Sequence, residues 1–532
     1  MAGIKNMNGS GKKKLCAFIG CLFALAFILL IYTPANVDPG NTNWVINGGG
    51  DNLQHYLGWR FFRSSGWNRY LLFMQNLNYP AGTSVIVTDS NPLFCLIFKL
   101  LRDFIPGQFQ FSGIWIVSSY VLLAFFSSLI LWKLTGKIIF TIAGTVMAVL
   151  NPVILQRALI HDTLTAHWII LASIWLFLNN NKKWNLPGWF ILTGITLLVH
   201  FYFIPMIAFV LVLQCIRMGK QHKSFFSIIT VPVVFSLSLL LGYYLFGYSH
   251  ILPQSGSFGE LSMNLNAFFN PDSIPALIKP REILSLQYEG FNYWGLGLFG
   301  LILLGIIVGR KTFYDRISLY IVPAILLVLL AASNTGYFDT RLIYQVHLPE
   351  WLYSLLSIFR SSGRLVWCLY YLVLFSALSV ISEKSDMKSI FNSLVIACVV
   401  LQIIDMQAFI RQCADRFRNP ANQIAEISGT IIGEIPDITA HLFSSEGNSR
   451  TVDAFALYAA DHNMTFNKSA DARGIERIYG GDVIVPEELT CSQLRTDSVY
   501  LYFSNINFPE ELAKCEGFEL IEFDDMKMVR PR

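Results

Sequence analysis

KKKLCAFIGCLFALAFILLIYTPAN, residues 12–36, decides the class of this protein. Three lysines precede an apolar run from Leu15 to Tyr32 that contains no charge. A helix needs about 20 apolar residues to cross the hydrocarbon core of a bilayer. A signal peptide would begin the same way. However, no small-x-small cleavage site follows, and the chain continues Thr33-Pro34-Ala35-Asn36. The run therefore reads as an uncleaved first helix whose lysines stay in the cytoplasm by the positive-inside rule.

The rest of the chain agrees. Of 532 residues, 54% are hydrophobic and only 14% charged, with mean hydropathy +0.50. Soluble domains carry about 25% charged residues. The expected fold is a polytopic α-helical membrane protein. The net charge of +4 is no argument for nucleic-acid binding, and no nucleic-acid partner is expected. There is no CxxC and no Cys/His zinc spacing. Most of the nine cysteines lie in or beside apolar spans, where a thiol behaves as a small hydrophobe. Cys491 and Cys515 share a polar region, and there a disulfide and two free thiols are equally open.

Further spans are expected at roughly 112–132, 138–154, 166–178, 187–200, 202–216, 225–246, 292–308, 317–332, 365–381 and 389–408. Lys133/Lys137, Lys182/Lys183, Arg217/Lys220/Lys223, Arg310/Lys311/Arg316 and Lys384/Lys388 then all fall on the side of Lys12–Lys14. The count is about eleven. Residues 1–14 form a cytoplasmic amino terminus, 15–409 a membrane domain with a first outer loop at 33–111, and 410–532 a small extracytoplasmic α/β domain. The segment 91–104, NPLFCLIFKLLRDF, is too short to span and carries Lys99 and Arg102. It reads as an interfacial helix. The pair at 187–216 is expected to turn at Val199-His200-Phe201-Tyr202.

Candidate chemistry collects in the outer loops. Gly48-Gly49-Gly50-Asp51 delivers a carboxylate just after the first span, with His55 one helical turn on and Asp89 later in the loop. Residues 156–168 pack Arg157, His161, Asp162 and His167 into one short crossing. His200, Arg281, Arg360 and Arg364 lie in later outer loops, and Glu289 and Tyr293 are weaker signals. Ionisable groups at membrane depth are costly and tend to be functional. Plainer roles also fit. Asp51 suits a glycine turn or helix cap, Asp89 the cap of the helix from Asn91, His161-Asp162 a buried structural pair, and Arg360 and Arg364 snorkelling.

As a set, these groups suit sugar transfer from a polyprenyl phosphate. The phosphate leaving group needs cationic stabilisation more than a general acid. The acceptor hydroxyl needs a positioned base, and an aspartate raised by partial burial from its reference of about 3.9 would serve. There is no DxD, no P-loop and no Rossmann half for a nucleotide sugar.

With Gly48-Gly49-Gly50-Asp51 after the first helix and an interfacial helix behind it, the chain resembles the GT-C superfamily of integral membrane glycosyltransferases. More narrowly, it is similar to a group of bacterial GT-C-like membrane proteins of unknown function. The segments that carry this likeness are 49–54, 79–83, 161–168, 200–203, 359–364 and 458–465.

The resemblance implies an inner-membrane enzyme that moves a hexosyl or pentosyl group from a polyprenyl-phosphate donor to a glycan or lipid acceptor on the periplasmic side. It implies Asp51 as the base and Asp89 or Asp162 as a second carboxylate. Arg364, Arg360 and Arg281 would hold the phosphate, with His55, His161, His167 and His200 lining the site. Some members use a divalent cation, Mg or Mn, for which Asp51, Asp89 and Asp162 offer ligands. Asn52 stands where protein mannosyltransferases carry Glu, and no WWDYG-type motif occurs, which points away from a protein acceptor. A flippase of lipid-linked glycans and a non-catalytic glycan assembly protein remain as alternatives, although flippases usually show internal repeats.

Overall fold

The computed structural model describes residues 8–68, 70–179, 185–248, 258–385, 389–421, 424–468, 484–504 and 508–532. Lys182, Lys183, Lys388 and the first seven residues of the expected amino-terminal tail lie outside these. Among the described residues, eight helical spans are long and apolar enough to cross a membrane: Gly9–Val37, Ser112–Thr135, Ile138–Ile160 (two helices, Ile138–Val149 and Pro152–Ile160, joined end to end), Phe203–Lys220, Phe225–Leu245, Leu296–Ile317, Ser362–Ser385 and Ile390–Arg418. The chain is thus a polytopic helical membrane protein. Three further segments expected to span are short helices, Trp168–Asn179, Leu186–Val199 and Ile321–Ala332, of 12, 14 and 12 residues. At 1.5 Å per residue, 12 residues reach only about 18 Å, against about 30 Å of hydrocarbon.

The described residues fall into two compact units. The first comprises 8–37, 112–179, 185–240, 258–385 and 389–418. Its first helix is kinked at Thr33, just before Pro34. Proline cannot donate the hydrogen bond and disfavours helix in the residue before it.

The last helix of this unit, Ile390–Arg418, runs past residue 409 and carries a buried carboxylate. Asp405 Oδ1 accepts the Leu277 N–H at 3.0 Å, and its Oδ2 accepts the Tyr293 hydroxyl at 2.7 Å and the Leu296 N–H at 3.0 Å. One turn earlier, Gln402 Oε1 accepts the Gly297 N–H at 3.0 Å. These acceptors satisfy donors that the first turn of helix Leu296–Ile317 leaves unpaired. A single aspartate therefore pins both ends of the segment 277–296.

The second unit joins the first loop, 38–111, to 241–248 and to the carboxyl-terminal residues from Asn419. Its centre is a five-stranded sheet in the order Thr465–Phe466, His441–Ser444, Ser498–Phe503, Met526–Pro531, Phe518–Glu522. The first three strands are parallel, and the last two are an antiparallel hairpin set against Ser498–Phe503. Helix Ser449–Asp461 connects the first parallel pair and buries Ala454, Phe455 and Ala459. Phe443, Tyr500, Tyr502, Leu512, Phe518 and Val529 form the core of the sheet. Cys491 and Cys515 form a disulfide.

The first loop extends this sheet. Tyr79 N–H donates to Phe466 O at 3.0 Å, and Phe466 N–H donates to Asn76 O at 2.9 Å. The Tyr79 ring stacks on His441 at 4.4 Å. Arg60 reaches Asp461 at 2.7 Å. The loop and the carboxyl-terminal residues form one compact unit, although about 300 residues separate them in the chain.

Candidate functional site

Within the first unit, the polar residues of four segments converge. Helix Pro152–Ile160 starts at Asn151, whose side chain accepts the Val153 N–H, with proline in the first turn. This presents Arg157, fully buried, near the other end. Arg157 Nη1 donates to Glu289 Oε2 at 2.9 Å, and its Nη2 to Glu289 O at 3.3 Å. Arg364 donates to the same Oε2 through Nε at 2.9 Å and Nη2 at 2.7 Å. Two guanidiniums thus share one carboxylate oxygen. Burial alone would raise the Glu289 carboxyl, but Arg157 and Arg364 beside it hold it down to about 2.

Aromatic faces complete this cluster. Arg364 lies over the Tyr202 ring at 4.8 Å and Arg157 over Trp367 at 5.5 Å. The Tyr202 hydroxyl accepts the Ser361 N–H at 2.7 Å, which fixes the turn before Arg364. The approach of the two chains depends on glycine. A Cβ on Gly363 would stand 2.5 Å from the Gly290 Cα.

The histidines lie close by in sequence and in space. The His161 and His200 rings are 5.4 Å apart, and the Tyr202 N–H donates to His200 Nδ1 at 3.2 Å. His161 ends its helix, and its N–H donates to Arg157 O at 2.8 Å. The His167 ring stacks on Trp367 at 4.8 Å, with Nδ1 2.8 Å from the Tyr371 hydroxyl. Asp162 is buried. Its backbone oxygen accepts the Trp115 indole N–H at 3.1 Å and the Thr165 hydroxyl at 2.7 Å, and its Oδ1 accepts the Thr163 hydroxyl at 3.3 Å.

Arg281 stands differently. It is 53% exposed and pairs with Asp339 rather than with Glu289. Arg360 is partly exposed at the turn four residues before Arg364.

Within the second unit, Asp51 holds the N-cap position of helix Asn52–Ser64 without a side-chain cap hydrogen bond. Gly49 and Gly50 both take positive φ, 73° and 65°. Asp51 is exposed, so the partial burial expected of the base is not found. As an acid at a helix amino terminus, it meets the positive end of the helix dipole. His55 is buried one turn on, and its N–H donates to Asp51 O at 3.0 Å. Asp89 does not cap the helix from Pro92. Asn91 does, its side chain accepting the Phe94 N–H at 3.3 Å. Thr88 and Ser90, on either side of Asp89, pack on Gly58 of the Asp51 helix, where a Cβ would lie 2.2 Å from each hydroxyl oxygen.

Residues 21–407 match the family model described as Domain of unknown function (DUF6311). The chain belongs to this family. No curated protein matches it. The DUF6311 segment contains Asp51, Asp89, Arg157, Glu289 and Arg364, and it stops before the five-stranded sheet.

Sequence reasoning singled out Arg364, left Arg157 out of the set expected to hold a phosphate, and put Glu289 among the weaker signals. The usable sign was an acid at the lip of an apolar span, Tyr288-Glu289-Gly290-Phe291. Such an acid needs a cationic partner.

Proposed function

We propose that this DUF6311 protein is a GT-C-type membrane glycosyltransferase. It transfers a hexosyl or pentosyl group from a polyprenyl-phosphate donor to a glycan or lipid acceptor on the periplasmic face of the inner membrane. The observation that carries this reading is the convergence of Arg157 and Arg364 on one carboxylate oxygen. Paired guanidiniums in a buried, aromatic-walled setting suit the oxyanion of a departing phosphate.

In the proposed reaction, an acceptor hydroxyl attacks the anomeric carbon, and the carbon–oxygen bond to phosphate breaks. The phosphate leaves with the electron pair, Asp51 takes the hydroxyl proton, and the centre inverts. Asp89 or Asp162 would orient the acceptor, and Arg360 would add to the positive field. Transfer assayed with and without a chelator tests for Mg or Mn at the carboxylates.

The reading also takes about eleven crossings, including the three short helices, with the amino terminus cytoplasmic and the carboxyl-terminal domain periplasmic. The Cys491–Cys515 disulfide supports that side, because disulfides persist in oxidising compartments.

The test is transfer from a labelled polyprenyl-phosphate sugar by the purified protein in liposomes. Asp51→Asn should lose transfer while keeping its melting temperature. An Asp51→Asn protein with full activity rules out the base. Movement of intact donor across the bilayer without transfer would establish the flippase reading instead.

A further inference from the structure

The helix Pro92–Leu100 and the turn Arg102–Phe104 are amphipathic in an inverted sense. Ile97, Leu100, Leu101 and Phe104 are exposed, Leu100 by 70% and Phe104 by 86%. Their spacing of i, i+3, i+4 and i+7 makes one stripe. The cation of this helix, Lys99, is turned inward and is 2% exposed. Its Nζ donates to Ser65 Oγ at 2.9 Å and lies over the Phe62 ring at 3.8 Å. A helix that buries its lysine and shows its leucines is arranged for an apolar neighbour outside the protein.

Where the stripe ends, a cleft of about 430 Å³ opens, lined by Arg60, Arg63, Arg102, Asp103 and Asp461 among others. Three guanidiniums face two carboxylates, which leaves one positive charge. Their duties differ. Arg60 is tied to Tyr56 and Asp461. Arg63 gathers the carbonyl oxygens of Arg102, Ile105, Pro106 and Gly107 and so holds the loop in place. Arg102 touches Arg63 O and Ser65 O only at 3.3 and 3.4 Å, and its side chain is 36% exposed beside Asp103. It is the guanidinium best placed to meet an incoming anion.

We propose that this surface docks on the bilayer with Ile97, Leu100, Leu101 and Phe104 inserted. The cleft then takes the phosphate of an anionic phospholipid headgroup, with Arg102 as its principal contact. The stripe supplies the hydrocarbon contact and the cleft the charge, in the order in which a phospholipid presents them. This site is independent of the glycosyltransferase reading and stands or falls separately.

The experiment is hydrogen exchange of the backbone 97–107 in the full chain. It uses nanodiscs of phosphatidylcholine alone and of phosphatidylcholine with phosphatidylglycerol. Exchange should be several-fold slower with phosphatidylglycerol. Arg102→Gln should abolish that difference between the two lipids, and Arg102→Lys should restore part of it. Phe104→Ser should speed exchange in both lipids. The proposal is overturned if Arg102→Gln keeps the phosphatidylglycerol effect, or if Phe104→Ser changes nothing. It is also overturned if inorganic phosphate added to phosphatidylcholine discs gives the same slowing, which would make the cleft a soluble-phosphate site.

Discussion

Arg364 grips one oxygen of Glu289 with two N–H groups, Nε at 2.9 Å and Nη2 at 2.7 Å, while Arg157 holds the same oxygen from another helix. Removing one partner of a buried ion pair costs about 3–5 kcal/mol, because the remaining charges stay buried. Glu289→Ala should therefore lower the unfolding temperature clearly, as followed by thermal denaturation in detergent.

The same carboxylate gives an acid-side signature. Its folded value of about 2 lies below the ordinary 4.5. A depressed carboxyl adds stability that is complete above the unfolded value and is lost as pH falls toward the folded one. The wild-type protein should lose this increment between pH 4.5 and 2. Glu289→Gln, which cannot titrate there, should show a flatter stability profile over that range.

Asp405 is expected to matter for stability rather than chemistry. Asp405→Ala strands the Leu277 N–H, the Leu296 N–H and the Tyr293 hydroxyl. Each buried unsatisfied group costs about 1–3 kcal/mol. Asp405→Asn keeps one carbonyl acceptor and should fall between wild type and Asp405→Ala in thermal denaturation.

The Arg60–Asp461 pair tests whether loop and carboxyl-terminal region fold together. Arg60 is buried and Asp461 one-third exposed, so a modest coupling is expected, about 1 kcal/mol. Arg60→Ala, Asp461→Ala and the double variant form a cycle, read by chemical denaturation. Zero coupling would mean that this pair does not help hold the two regions together.

Cys491 and Cys515, 24 positions apart, close a loop whose cross-link is worth about 3 kcal/mol in a chain-entropy account. Cys491→Ser should weaken the carboxyl-terminal region. Protease sensitivity rising beyond Asn419 and in the first loop 38–111, which shares that unit, is the expected result.

Much of this was legible in the sequence, for physical reasons. Long apolar runs show themselves by composition alone, so the eight long spans were visible. The first apolar run reads as ending at Tyr32, just before the kink at Thr33, and a turn is expected at Val199-His200-Phe201-Tyr202, where helix Leu186–Val199 ends. In the sequence, Ser498-Val499-Tyr500-Leu501-Tyr502-Phe503 reads as a buried strand and 518–529 as a hairpin with a polar turn at Asp524-Asp525, and both elements are present. Span counting was weaker, because Trp168–Asn179, Leu186–Val199 and Ile321–Ala332 are apolar without being long.

Pairings across distance were not legible. Nothing near Glu289 in the chain announces Arg157, 132 positions away. Nothing near Tyr79 announces His441. Asp405 lay inside an expected span and drew no notice, because its partners are backbone N–H groups that every sequence carries.

The union of the first loop with the carboxyl-terminal region has a consequence for synthesis. Residues 76–79 leave the ribosome early, yet the edge strand Thr465–Phe466 that satisfies their backbone is made near the end. Throughout elongation, the segment holding Asp51 and Asp89 waits with an unpaired backbone edge, a state open to proteolysis and mispairing. A premature stop anywhere before Phe466 would therefore do its damage at the opposite end of the protein, in the first loop to have been made.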